Sequence, residues 1–155
     1  MTRIRNTRAR RDQGGAAVVE FALVVPLLLT LVFGIIQYGW YFYAMQSGTS
    51  ATGDALRRLS VGACQSQSER DALIKSDLGG ALSGSTLTTN SVVYKDASGT
   101  VTGSPVAGGS ATLTVAFPTL NLKFPFIPVP NGGTVSRTQT ARVEQISAAS
   151  GTACS

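Results

Sequence analysis

From Ala16 to Ile36 the chain runs through twenty-one positions, all apolar or small except Glu20 and Thr30. Apolar residues fall on every face of a helix drawn through this run, so it reads as a helix surrounded by hydrocarbon and not as an amphipathic surface helix. About twenty residues suffice to cross a bilayer. Pro26 inside such a segment predicts a mild kink and no break. Gln37, Tyr38, Trp40, Tyr41 and Tyr43 follow, with Gly34 and Gly39 among them, and aromatic rings with polar tips belong where hydrocarbon meets water. Helix formers with interleaved small residues continue from Ala44 to Leu59, Asp54 precedes Arg57 and Arg58 by three and four positions, and Gly62 is a suitable terminator. One helix of roughly 45 residues is predicted, half of it in lipid and half projecting outward.

The pattern then changes. Ser68, with Asp71 at the capping-box position, opens a short second helix that Gly79 and Gly80 end. Beyond Ser83 the period becomes two. "STLTTNSVVYK" (85–95), "ATLTVAF" (111–117) and "TVSRTQTARVEQIS" (134–147) read as strands separated by "DASG" and "NGG" turns, with Leu113, Val115 and Phe117 on one face. "PTLNLKFPFIPVP" (118–130) holds four prolines, which cannot donate to a ladder; it reads as an edge or an extended apolar loop that covers the core or docks on another helix.

Charge sharpens this picture. Of a formal net charge of +5, four units come from residues 1–15, where Arg3, Arg5, Arg8, Arg10 and Arg11 stand against Asp12; the remainder carries eight basic and seven acidic side chains. The basic character is a short arm with no single-signed face behind it, which argues against a nucleic-acid partner. Arginines immediately before an apolar span place the N-terminus in the cytoplasm and everything beyond about residue 45 outside, periplasmic or extracellular. The sequence has no histidine, so the commonest general base and metal ligand are missing, and no constellation marks an enzyme, a metal site or a cofactor. Cys64 and Cys154, 90 residues apart, do not have metal spacing. In an oxidising compartment they would pair as a disulfide; two unrelated buried thiols is the other reading.

A basic arm before an apolar run also describes a secretory signal, but this run exceeds an ordinary signal core and no A-x-A-like cleavage site follows it cleanly. Glu20 needs its own explanation, because a carboxylate in a membrane helix calls for a partner. "GGAAVVEF" (14–21) resembles the processing site of type IV prepilins and pseudopilins, in which a membrane peptidase cuts after a glycine and a glutamate stands fifth in the mature chain. With a cut after Gly15, Ala16 is first and Glu20 fifth, followed by the aromatic Phe21. The wider run "GAAVVEFALVVPLLLTLVFGIIQYG" (15–39) is similar to the N-terminal helix of the TadE-like family, minor pseudopilins of the tight-adherence (Tad) pilus, and "TQTARVE" (138–144) resembles that family's last strand.

The resemblance implies a structural or assembly subunit with a role in adhesion and surface colonisation. Its partners would be the membrane, other pilins and pseudopilins, a prepilin peptidase and the Tad secretion and assembly platform. Gly15, Ala16, Glu20 and Phe21 would serve processing and assembly, the Glu20 carboxylate of one subunit meeting the new ammonium of Ala16 on its neighbour. The alternatives for Glu20 are a carboxylate that merely snorkels to the interface and, for the whole chain, an uncleaved signal-anchored β-rich surface module. The organisation expected is a basic leader (1–15), a transmembrane and projecting helix (16–61) and an extracytoplasmic α+β domain with an antiparallel sheet (62–155).

Overall fold

The computed structural model describes residues 9–82 and 84–144. The chain is α+β: a long N-terminal helix followed by a small antiparallel sheet. Helix α1 spans Ala9–Ser60, 52 residues, and α2 spans Gln67–Leu78; the strands are β1 (Thr89–Lys95), β2 (Val101–Thr102), β3 (Ser110–Pro118) and β4 (Thr134–Arg142). The expected helix of residues 16–61 thus begins seven residues earlier and passes through Gly14 and Gly15. Each glycine costs only about 1 kcal/mol relative to alanine, and extending an existing helix avoids the cost of nucleation. At its other end, Gly62 adopts φ 84 and donates to the Leu59 carbonyl at 3.1 Å, while the Ala63 amide reaches back to the Arg58 carbonyl at 2.9 Å. This pair of bonds satisfies the last helical carbonyls and stops the helix where a left-handed glycine permits it.

Helix α1 continues through Pro26, and the Thr30 hydroxyl donates to the Pro26 carbonyl at 2.8 Å. The distal half of α1 lies across β3 and β4. Ala44, Ala51, Ala55, Leu56 and Leu59 enter a core with Ile74, Leu78, Leu82, Leu113, Val115, Phe117, Val135 and Val143. Small residues on the helix face let its backbone approach the sheet closely. At Gly48, an added Cβ would fall 2.8 Å from Cε1 and Cζ of the Phe117 ring.

The sheet has the order β2-β1-β3-β4, antiparallel throughout. In β3, Leu113, Val115 and Phe117 point inward as the alternation predicts, while Thr112 faces Thr140 and Thr114 faces Thr138, their hydroxyls 2.8 and 3.0 Å apart on the opposite face. That face is polar and remains in water. Two boundaries differ from the alternation. Strand β1 begins at Thr89 rather than residue 85, with the Thr88 amide adding one bond to Ala116. Strand β4 ends at Arg142, short of residue 147, and beyond it the Glu144 amide donates to the Ser60 carbonyl.

The cap of α2 is Ser66, not Ser68. Its hydroxyl accepts from the Glu69 amide at 3.3 Å, and Ser-x-x-Glu recurs two residues before the Ser-x-x-Asp of residues 68–71. Starting earlier adds half a turn and frees the Asp71 carboxylate to accept from the Asn90 side chain, which ties α2 to β1. Buried Arg70 donates to the carbonyls of Cys64 and Gln65 and so holds the link between the helices. Loss of solvent lowers the Arg70 pKa from its ordinary value, against the opposing influence of Tyr94 and Asp71.

Candidate assembly helix and the loop beside it

The residues that the processing motif singles out all lie on the proximal half of α1. Gly15, Ala16, Glu20 and Phe21 are helical and exposed, Phe21 at 69%. Ala16 and Glu20 stand one turn apart on the same stripe, about 6 Å along the axis. Among the described residues nothing bonds to the Glu20 carboxylate, and a Cβ at Gly15 would meet no atom within 4 Å. Val18, Leu23, Leu27, Leu28 and Leu31 surround these positions, all exposed. Over residues 15–36 the helix therefore presents an apolar rod, uncovered among the described residues, with one acid, Glu20. The helix is long and apolar enough to cross a membrane, and its most apolar window is wholly unburied by the protein itself.

Residues 16–36 extend about 31 Å at 1.5 Å per residue, the thickness of a bilayer's hydrocarbon layer. The first protein contacts occur where this stretch ends. The Phe33 ring packs on Phe124, centroids 4.6 Å apart. Gln37, 2% exposed, donates through Nε2 to the Leu120 carbonyl at 2.6 Å and accepts at Oε1 from the Leu122 amide at 2.9 Å. A primary amide has the same donor and acceptor pair as a peptide unit, so it can hold an extended strand of backbone with both atoms. Farther out, Arg137 Nε donates to the Met45 carbonyl at 3.2 Å and Gln139 Nε2 to the Thr49 carbonyl at 3.0 Å.

The proline-rich segment is the extended loop that its composition predicts. Phe124, Pro125, Phe126 and Ile127 form a tight turn in which Ile127 N–H donates to the Phe124 carbonyl at 3.4 Å. Proline in the second position and a positive φ in the third are the marks of a type II turn, whose third place ordinarily takes glycine. Here it holds Phe126, at φ 68, and its side chain is 94% exposed. The left-handed region costs a bulky side chain about 1–2 kcal/mol.

Cys64 is fully buried at the turn after α1, with φ 57. Its expected partner, Cys154, lies outside the described residues, as does most of the arginine arm. No group of metal-ligating side chains occurs among the described residues.

Residues 15–57 match the family model described as TadE-like protein. The TadE-like match begins at Gly15 and runs almost to the end of α1, so it covers the rod and stops before α2 and the sheet. The TadE-like family is a structural kind of protein associated with the Tad pilus. No curated protein and no solved structure matches the chain. Gln37 and Gly48 fall inside the TadE-like segment, yet both face the sheet domain and its loop. Sequence patterning placed Gln37 only at the exit from hydrocarbon. The missed signal was a lone amide directly following a long apolar run, where a backbone-binding role was open to it.

Proposed function

We propose that the chain is a minor pseudopilin, a structural and assembly subunit of a Tad-type pilus or related secretion machine, cut after Gly15 by a prepilin peptidase. The observation that carries this reading is the proximal half of α1, which among the described residues has no protein cover over its apolar window and no partner for the Glu20 carboxylate. The TadE-like match over the same helix supports it. A cut after Gly15 removes the arginine arm and creates an ammonium on Ala16. In a bundle of such helices the Glu20 carboxylate of one subunit pairs with the Ala16 ammonium of the next, which offsets the desolvation of both and sets the axial stagger.

In this reading the N-terminus is cytoplasmic and residues beyond α1's membrane half are periplasmic or extracellular, with Cys64 and Cys154 joined there. The sheet domain makes this subunit too bulky for the body of a filament of very small pilins, which favours a minor, initiating or accessory place with an adhesive outcome. The partners are the membrane, neighbouring pilins, the peptidase and the assembly platform.

Intact-mass and N-terminal analysis of protein extracted from membranes tests the first step. Ala16 as the first residue is expected, and Gly15→Ala should leave the uncut chain to accumulate. A mature chain retaining its arginines in cells with active peptidase overturns the proposal. Glu20→Ala should insert normally and fail to support piliation; unchanged piliation removes Glu20 from assembly.

A further inference from the structure

We infer that the proline-aromatic loop, residues 120–128, is a second membrane contact that inserts Phe126 into the outer interfacial layer of the bilayer crossed by α1. The inference rests on α1 being a membrane span, as proposed above. Three features of the loop carry it.

The first is level. Phe124 packs on Phe33, which lies inside the 16–36 span, and Gln37 binds the loop backbone one residue past the end of that span. A loop held there begins at the edge of the hydrocarbon and faces the same medium as the exposed residues of α1. The second is backbone chemistry. Lipid hydrocarbon penalises unpaired amides; Leu122, Lys123 and Ile127 donate to Gln37, Asn121 and Phe124, and Pro125 and Pro128 have no N–H, while the Phe124 and Phe126 amides, without a partner among the described residues, fit the hydrated interfacial layer and not the hydrocarbon. The third is the tip itself. Phe126 is held outward by a left-handed backbone, 94% exposed, in a turn where glycine would be relaxed. A bulky apolar side chain kept in that state points to an apolar environment at that position. Exposed Leu120 broadens the patch, and Lys123, also exposed, lies where its long side chain can reach the phosphate layer.

The test uses the full chain reconstituted in nanodiscs. In a Trp40→Phe background, which removes the one native tryptophan, Phe126→Trp and Leu28→Trp are prepared separately and probed with lipids brominated at shallow or deep chain positions. Trp at 126 is expected to emit blue-shifted and to lose intensity with shallow bromines, more than with deep ones. Trp at 28 should respond most to deep bromines. Quenching at 28 without quenching at 126 overturns the loop contact and leaves the span intact. No quenching at 28 overturns the span and the loop contact with it. A blue shift at 126 that no brominated lipid quenches, and that disappears on dilution into excess empty bilayer, assigns the patch to a second copy of the chain and overturns the lipid contact. Spin-labelled lipid acting on the Phe126 amide of the unsubstituted protein provides the same readout should the tryptophan variant not fold; absence of broadening there overturns the contact.

Discussion

Gly48 and Phe117 meet face to face: a single methyl group added to the helix would lie 2.8 Å from two carbons of the ring. Gly48→Ala therefore sets a gain in helix propensity of about 1 kcal/mol against overpacking of about 1–3 kcal/mol. Because the ring is fully buried between helix and sheet, it cannot swing into solvent, and net destabilisation is expected. Denaturant unfolding of the detergent-solubilised chain measures it. Phe117→Leu should be destabilising alone but much less so when Gly48→Ala is already present. Additive effects would show that the two positions do not share this contact.

Gln37→Leu keeps the bulk of the side chain and removes both hydrogen bonds to the loop, leaving the Leu120 carbonyl and Leu122 amide without their partner. A loss of about 1–3 kcal/mol is expected. Hydrogen exchange should show the Leu122 amide losing protection while β3 amides keep theirs. Gln37→Glu retains the acceptor for Leu122 but sets a buried negative charge against the Leu120 carbonyl, so a loss at least as large is expected.

Arg70→Met tests the link between the helices. The guanidinium binds the carbonyls of Cys64 and Gln65, and its loss should destabilise by about 1–3 kcal/mol and raise exchange at the Arg70 and Glu69 amides. Unchanged exchange with unchanged thermal stability would show that the packing of Ile74 and Leu78, with the Asn90–Asp71 bond, holds α2 without Arg70.

The turn after β1 should respond to acid. The Asp96 carboxylate accepts from the Ser98 hydroxyl and from the amides of Ser98 and Thr100, and these bonds hold its pKa below the ordinary value of 3.8. A depressed carboxyl stabilises the turn above its unfolded pKa, and that contribution is lost as pH falls through the lower, folded value. NMR titration of the Ser98 and Thr100 amides should therefore show a shared midpoint below 3.8. A midpoint at or above it would refute the carboxylate's role in the turn. Asp96→Asn should abolish the shared transition.

Much of this architecture is readable from residue order, for identifiable reasons. An all-round apolar run of span length, a glycine that ends a helix and a strict alternation at Leu113, Val115 and Phe117 are local signals with one dominant physical outcome. The prolines likewise keep residues 119–129 out of the sheet, which takes in only Pro118 of the predicted segment, at the end of β3. Other features depend on partners distant in sequence. Ser66 and Ser68 both have an acidic residue three positions later, and local spacing does not choose between them. Strand β1 starts where β3 can pair with it, which Thr86 and Leu87 do not reveal. Gln37 has a role only because residues 120–122 return to it across more than eighty positions. Among the described residues nothing packs on Gly15, Ala16, Glu20 or Phe21, so the fold gives the proposed processing motif no structural role of its own.

Helix α1 runs without interruption from the apolar segment into the core of the sheet domain. Transmission shaft and head are consequently a single piece, with no swivel between them. Whatever azimuth a neighbouring rod imposed on the exposed stripe bearing Glu20 would also dictate which way the threonine-lined face of the sheet looks. Packing choices made within lipid would thus select the surface shown to the surroundings.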